Sequence, residues 1–176
     1  MSRKARATDE LPIALVVNPK AGRVRRRDLV RDPFWQRHLP EAAVFVTADL
    51  AGLDAALCRL RARRPAVIAC LGGDGSLHHL LAAALRHYGP AELPVVLPLA
   101  GGTVNGLAHA VGTGGPPEAL LAAALARARE GAVPGRRLAL LEIREAGGEV
   151  RRGFTLAAGL AARAVAHYDR RGARGA

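Results

Sequence analysis

Three short apolar runs in this chain each end in a glycine-bearing loop, and the last two of those loops lead into helix-like periodicity. Residues 13–17 run into Asn18, Pro19, Lys20, Ala21 and Gly22, and residues 66–71 into Gly72, Gly73, Asp74, Gly75 and Ser76. The third run, residues 93–97, leads on to Gly101, Gly102, Thr103, Val104 and Asn105. A short apolar run bounded by turn residues predicts a buried strand, and apolar residues recurring at three and four predict a helix. Repeated strand-helix alternation favours a parallel sheet, which must be covered on both faces because neither tolerates water. Right-handed crossovers then put all three loops at one edge of the sheet. The expected fold is therefore α/β, a parallel-sheet domain with helices on both faces.

Along the chain the spacing predicts strands at 13–17, 43–47, 67–71 and 93–97. A short helix is expected over 28–38, interrupted by Pro33, and a longer one carries Leu50, Leu53, Leu57 and Leu60 on one stripe. Helices over 77–85, 107–111 and 118–130 follow the later strands. The pattern changes after Arg136: residues 138–144 and 150–156 are strand-like around Gly147 and Gly148, a hairpin that begins a β-rich unit. A helix over 157–168 and a basic tail over 169–176 complete the reading. The domain expectation is 11–136 for the α/β unit, 137–168 for a partial β-rich unit, and 169–176 for the tail.

The 176 residues suffice for one ordinary domain plus the start of another. Aromatic residues make up 3% of the chain, so the core must pack on small and branched side chains. The formal charge of +11 attracts phosphates, nucleic acid or an anionic membrane surface alike. Of the 26 basic side chains only Lys4 and Lys20 are lysines. The arginines are scattered over several elements without aromatic interleaving, so there is no strong nucleic-acid recognition signal. Cys58 and Cys70 lack paired spacing and lie in apolar contexts, which predicts buried reduced thiols. With no secretory segment at the start and no run near the roughly 18 apolar residues of a span, the expected location is cytoplasmic, with peripheral contact at the inner membrane surface.

Glycines let successive amides approach phosphate oxygens, and helix N-termini after Gly75-Ser76 and after residues 103–106 would reinforce anion binding. Thr103 adds a hydroxyl donor. Asp74 suits a divalent ion bridging phosphates, or acceptance of a proton from an attacking hydroxyl. In the alternative, Asp74 caps a helix and the glycines make turns, Asn18 and Asn105 fix their loops through backbone hydrogen bonds, and Lys20 is a solvated turn residue. The GxGxxG and GxxxxGKS/T patterns are absent, Ser76 lacks a GxSxG setting, and the histidines at 78, 79, 87 and 109 form no HExxH.

The segments VVNPKAG (16–22), LGGDGSLHHL (71–80) and PLAGGTVNGLAHAVG (98–112) resemble, in order and separation, the diacylglycerol kinase catalytic-domain family. That family includes bacterial lipid kinases and sphingosine kinases and is distantly related to NAD kinases. The resemblance implies an ATP-phosphate site formed by Asn18, Pro19, Lys20, Gly22, Gly72, Gly73, Gly75, Ser76, Gly102, Thr103 and Asn105. It implies Asp74 as catalytic residue and magnesium ligand, with ATP and Mg2+ as cofactors. The implied reaction transfers the γ-phosphoryl group of ATP to a lipid hydroxyl such as that of diacylglycerol, with a lipid acceptor as partner. Peripheral membrane contact and homo-oligomerisation are both compatible with it. The alternatives are a noncatalytic nucleotide-binding or anionic-surface interaction protein and an NAD kinase-like enzyme. His79 stands where many relatives have Glu, Gly106 where Asp is common, and His109 where Arg is frequent. The family's β-rich second domain is represented only by its beginning, so the chain is expected to be truncated after the N-terminal domain.

Overall fold

Strand β1 (Ile13–Val17) is buried at all five positions because it lies inside the sheet, with a parallel partner on each side. The computed structural model describes residues 12–40, 43–144, 147, 148, 150–154 and 163. Within them, β2 (Val44–Val46), β1, β3 (Val67–Gly72) and β4 (Val95–Ala100) form a four-stranded parallel sheet in the order β2-β1-β3-β4. The registers Val17↔Val46, Val17↔Leu71 and Gly72↔Ala100 bring the strand ends together at one edge. After β1 the chain first moves to β2, then crosses back over β1 to reach β3 and β4. Such a reversal of direction leaves a crevice at the C-terminal ends of β1 and β3.

The crossovers are helical, as the spacing predicts. From β1 to β2 the chain passes through α1 (Gly22–Arg26), a 3-10 turn (Leu29–Arg31) and α2 (Pro33–His38). Pro33 begins α2 rather than interrupting a helix. Its missing amide costs nothing in a first turn, and Asp32 caps that turn by accepting from the Phe34 amide at 2.8 Å. The single tryptophan, Trp35, is buried and donates to the Leu29 carbonyl at 2.5 Å, locking the turn to α2.

Helix α3 (Leu50–Arg63) joins β2 to β3 and α4 (Asp74–Tyr88) joins β3 to β4. Both crossovers run in the same direction across the sheet, so right-handedness puts α3 and α4 on one face and α1 and α2 on the other. Asp49 caps α3, accepting the Gly52 amide at 2.7 Å. Leu53, Leu57 and Leu60 are buried as the stripe predicts, whereas Leu50, in the first turn, is 60% exposed. Helix α4 starts three residues earlier than the apolar periodicity indicates. Asp74, Gly75 and Ser76 are its first turn, because Gly73 in an extended conformation already serves as its N-cap.

Strand β4 sits later than expected, at 95–100, and carries Pro98. It pairs only with β3 among the described residues, and a terminal strand can spare the donor that proline lacks. Helices α5 (Gly106–Ala110) and α6 (Pro117–Arg129) follow it, the latter burying Leu121 and Leu125. Burial holds for Cys70 but not for Cys58, which lies on the exposed side of α3.

The chain divides into two compact units, residues 1–136 and 137–176. In the second, β5 (Leu141–Arg144) and β6 (Val150–Gly153) pair antiparallel in the predicted hairpin, with Gly148 at φ +85°. Glu142 on β5 accepts from Arg152 across the ladder at 2.8 Å. The expected helix over 157–168 and the tail over 169–176 lie outside the described residues, Arg163 apart. Among the described residues no helix is long and apolar enough to cross a membrane.

Candidate functional site

The ends of β1, β3 and β4 are joined by hydrogen bonds that use most of the polar groups singled out in the sequence. Asn18, directly after β1, donates from Nδ2 to Ser76 Oγ at 2.7 Å, tying the first loop to the first turn of α4. Its Oδ1 accepts the Lys20 amide at 2.9 Å, which shapes the turn through Pro19. The Asn18 amide itself donates to the Leu71 carbonyl at 3.0 Å, extending the β1 to β3 ladder by one bond. Lys20 is exposed at the rim.

The second and third loops meet through glycine. The Gly101 amide donates to the Gly72 carbonyl at 2.9 Å. A Cβ added at Gly102 would overlap the Gly73 Cα, and one added at Gly72 would come 2.5 Å from Ser76 Cβ. Only residues without side chains allow two backbones this close. Gly75 faces open space instead, with nothing within 4 Å of an added Cβ. Asn105 is buried in the left-handed region at φ 56°, and its amide closes the loop on itself. Its Oδ1 accepts from the Gly102 amide at 2.8 Å and its Nδ2 donates to the Gly102 carbonyl at 2.9 Å. Thr103 is exposed, with Oγ1 3.1 Å from where a Gly22 Cβ would stand.

Asp74 spans the second and third loops. Its Oδ2 accepts the Gly106 amide and its Oδ1 the Leu107 amide, each at 3.0 Å. The sequence expectation that the helix after Asn105 offers its N-terminus to an anion is thereby corrected. An internal carboxylate already takes its leading amides, from a residue 32 positions earlier. The first-turn amides of α4 have no such partner among the described residues, so the helix end at Gly75 and Ser76 remains the one with unspent donors.

Beside these contacts, at the β1/β3 crevice, lies a cleft of about 240 Å³ lined by Asn18, Lys20, Thr47, Asp49, Ser76 and His79, with Val16, Leu53 and Leu80 among its apolar walls. Thr47 and Asp49 are absent from the sequence-based site because the loop after β2 contains no glycine. The signal that could have found them is their position at the C-terminal end of the predicted strand 43–47, the same edge as the glycine loops. The Thr47 amide donates to the Val17 carbonyl at 2.9 Å, which holds that loop to the same edge. Burial, and then the neighbouring His78, hold the His79 imidazole below the ordinary histidine range, favouring its neutral form. Burial pushes the Cys70 thiol up to about 12, so it offers no thiolate to the cleft.

Among the described residues no three His, Cys, Asp or Glu side chains group to hold a metal, so the site has no protein cage. Asp74 is exposed, and a carboxylate has about four acceptor positions of which two are taken. Magnesium is commonly held by one or two carboxylates together with substrate phosphates, and that arrangement this donor set fits.

Residues 12–134 match the model of the family described as diacylglycerol kinase catalytic domain. No curated protein resembles the sequence closely enough to count as a match. Solved structures do: a diacylglycerol kinase from Bacillus anthracis str. Sterne is 20% identical, with 69% of this chain and 40% of that chain covered at a TM-score of 0.48. Two further chains of that strain, assigned to the same class, give 20% and 21% identity and TM-scores of 0.48 and 0.49. They cover 69% and 70% of this chain and 42% and 40% of their own length. The chain thus spans about two fifths of the solved proteins it matches.

Proposed function

The chain belongs to the diacylglycerol kinase catalytic-domain family, and from that premise we propose that it forms the nucleotide half of an ATP-dependent lipid kinase site. The reaction is transfer of the γ-phosphoryl group to a lipid hydroxyl. The observation that carries this reading is the convergence of three strand-end segments on one set of contacts, Asn18 to Ser76, Gly72 to Gly101 and Asp74 to Gly106, at the crevice where strand order reverses. Crevices of this kind are where open α/β sheets take their ligands.

In this reading the unspent amides at the start of α4 and the hydroxyls of Ser76 and Thr103 donate to phosphate oxygens, and Lys20 adds a positive charge at the rim. The bonds of Asn18 and Asn105 fix loop shape, so the donors are aimed before the ligand arrives. Such positioning and charge neutralisation supply most of the acceleration in phosphoryl transfer. The acceptor hydroxyl oxygen bonds to the γ-phosphorus while the bridging oxygen leaves with ADP, and an oxygen of Asp74 accepts the hydroxyl proton. Magnesium, when bound, would be held by Asp74 and would neutralise phosphate charge.

The test is a mass-resolved phosphotransfer assay with ATP, magnesium, mixed lipid hydroxyls and dinucleotide acceptors, comparing the chain with Asp74→Asn and following ATP binding in parallel. Phosphorylated lipid from the parent and at least a hundredfold less from the variant is the expected result. The hydrogen bonds that occupy both Asp74 oxygens favour a second reading, a nucleotide-binding protein without transfer. ATP binding with no phosphorylated acceptor of any class would select it.

A further inference from the structure

Val104, in the loop after β4, is the most exposed large apolar side chain among the described residues, with 70% of its surface in solvent. Beside that loop, α1 and the residue that caps it turn Arg25, Arg26 and Arg27 outward. We propose that Val104 and these three arginines form a docking surface for an anionic lipid bilayer, the arginines meeting lipid phosphates while Val104 enters the acyl boundary.

The apolar and the basic part belong to one fixed surface. Thr103, next to Val104, has its Oγ1 3.1 Å from where a Cβ on Gly22 would stand, and a guanidinium nitrogen of Arg26 lies 4.0 Å from the same point. The Arg23 and Val24 amides both donate to the Gly101 carbonyl, at 2.8 and 3.2 Å, and the Arg23 guanidinium donates to the Ala100 carbonyl at 3.4 Å. α1 is thereby fastened to the end of β4, with Val24 buried beneath it. Val104 cannot retreat from solvent, because Asn105 closes its loop on Gly102 and Asp74 holds the Gly106 and Leu107 amides that follow.

The charge on this surface is not neutralised from within. Among the described residues Arg25, Arg26 and Arg27 make no ion pair. The two carboxylates of residues 22–38 are engaged elsewhere, Asp28 with Arg31 at 4.0 Å and Asp32 as the cap of α2. Basic side chains are attracted to the anionic leaflet, and an apolar group beside them supplies the second signal that stable attachment needs. A nucleic acid would take the charge but offers Val104 little, since single strands are held by stacking on aromatic rings, whereas an aliphatic side chain gains by leaving water. The surface lies at the sheet edge that carries Asp74, so a docked bilayer would bring lipid hydroxyls toward the candidate site; that use rests on the reading above, and the docking does not.

Flotation of the whole chain with vesicles, at constant ionic strength, tests this, using phosphatidylcholine alone and phosphatidylcholine mixed equally with phosphatidylglycerol. Binding should require the anionic lipid. Arg25→Gln with Arg27→Gln should weaken it about thirtyfold, whereas Arg59→Gln with Arg64→Gln, which removes the same charge from exposed positions on and after α3, should change it less than about threefold. Val104→Trp should show emission that moves to shorter wavelength on the anionic vesicles, while the parent, whose Trp35 is already buried, should show no shift. Equal losses in the two arginine pairs would reduce the effect to diffuse charge and overturn the surface, as would an unshifted Val104→Trp. Equal binding to both vesicles, or to neither, would also overturn it. A single-stranded oligonucleotide that displaces the vesicles and depends on Arg25 and Arg27, with no shift in Val104→Trp, would overturn it in favour of nucleic acid. Arginine-dependent docking by a chain that phosphorylates no lipid would uphold the surface and remove the use given to it.

Discussion

Asp74 Oδ2 accepts the Gly106 amide at 3.0 Å, and Oδ1 takes the adjacent Leu107 amide at the same distance, so the first residue of α4 caps α5. A group placed for chemistry by its sequence setting therefore also holds the third loop in place. Asp74→Asn keeps one acceptor and turns the other into a donor facing an amide. We expect a loss of about 1–2 kcal/mol in urea denaturation, with faster hydrogen exchange at the Gly106 and Leu107 amides. Unchanged exchange at both would contradict the capping role.

Gly102 and Gly75 look alike in sequence and should behave oppositely. Gly102→Ala drives a methyl group into the Gly73 backbone, which cannot rotate aside, and should cost on the order of 3 kcal/mol. Gly75→Ala meets open space inside the first turn of α4 and should be neutral or stabilise by up to about 1 kcal/mol. Thermal melts of the two variants against the parent decide the point, and similar melting temperatures would refute the close approach of the two loops.

Cys58 is exposed on α3, whereas Cys70 lies within β3 with its thiol raised to about 12. Under native conditions an aromatic disulfide reagent should label one thiol per chain rapidly, and Cys58→Ser should abolish that phase. The second thiol should react only with unfolding. Two fast thiols in the folded chain would mean that β3 is not buried as described.

His79 has its imidazole held below 6.5, so between that lowered value and 6.5 the unfolded chain binds more protons than the folded one. Stability therefore falls as pH drops through 6.5 and levels off once the folded-state imidazole is itself protonated. Comparing melting temperatures at pH 7.5 and 5.5, His79→Gln should show a smaller acid loss than the parent. An equal loss in both would assign the pH dependence to other groups.

The sheet was legible because its strands are short apolar runs ended by turn residues, and that signal is local. Elements were misplaced where a local signal was ambiguous. Pro33 reads as a breaker until Asp32 is seen to cap a helix that begins with it. Residues 74–76 read as loop because a first turn carrying Asp, Gly and Ser has no apolar period. Leu50 falls on the stripe of α3 but lies in its first turn, where 60% of its surface stays exposed. Thr47 and Asp49 line the cleft without a glycine beside them, because a cleft wall needs no close backbone approach and so leaves no glycine signal in the sequence.

By itself the sequence determined the alternation of strands and helices, the placing of three glycine loops at one sheet edge, and the family to which those loops point. Periodicity and turn chemistry act over a few residues, and they are written in a few residues. The tertiary structure alone decided what each loop residue touches: that Asp74 spends its two oxygens on amides 32 and 33 positions away, that Gly73 and Gly102 meet backbone to backbone, and that Asn18 bonds to Ser76 across 58 positions. Those contacts depend on strand order and register, which set distances between segments that no local pattern encodes.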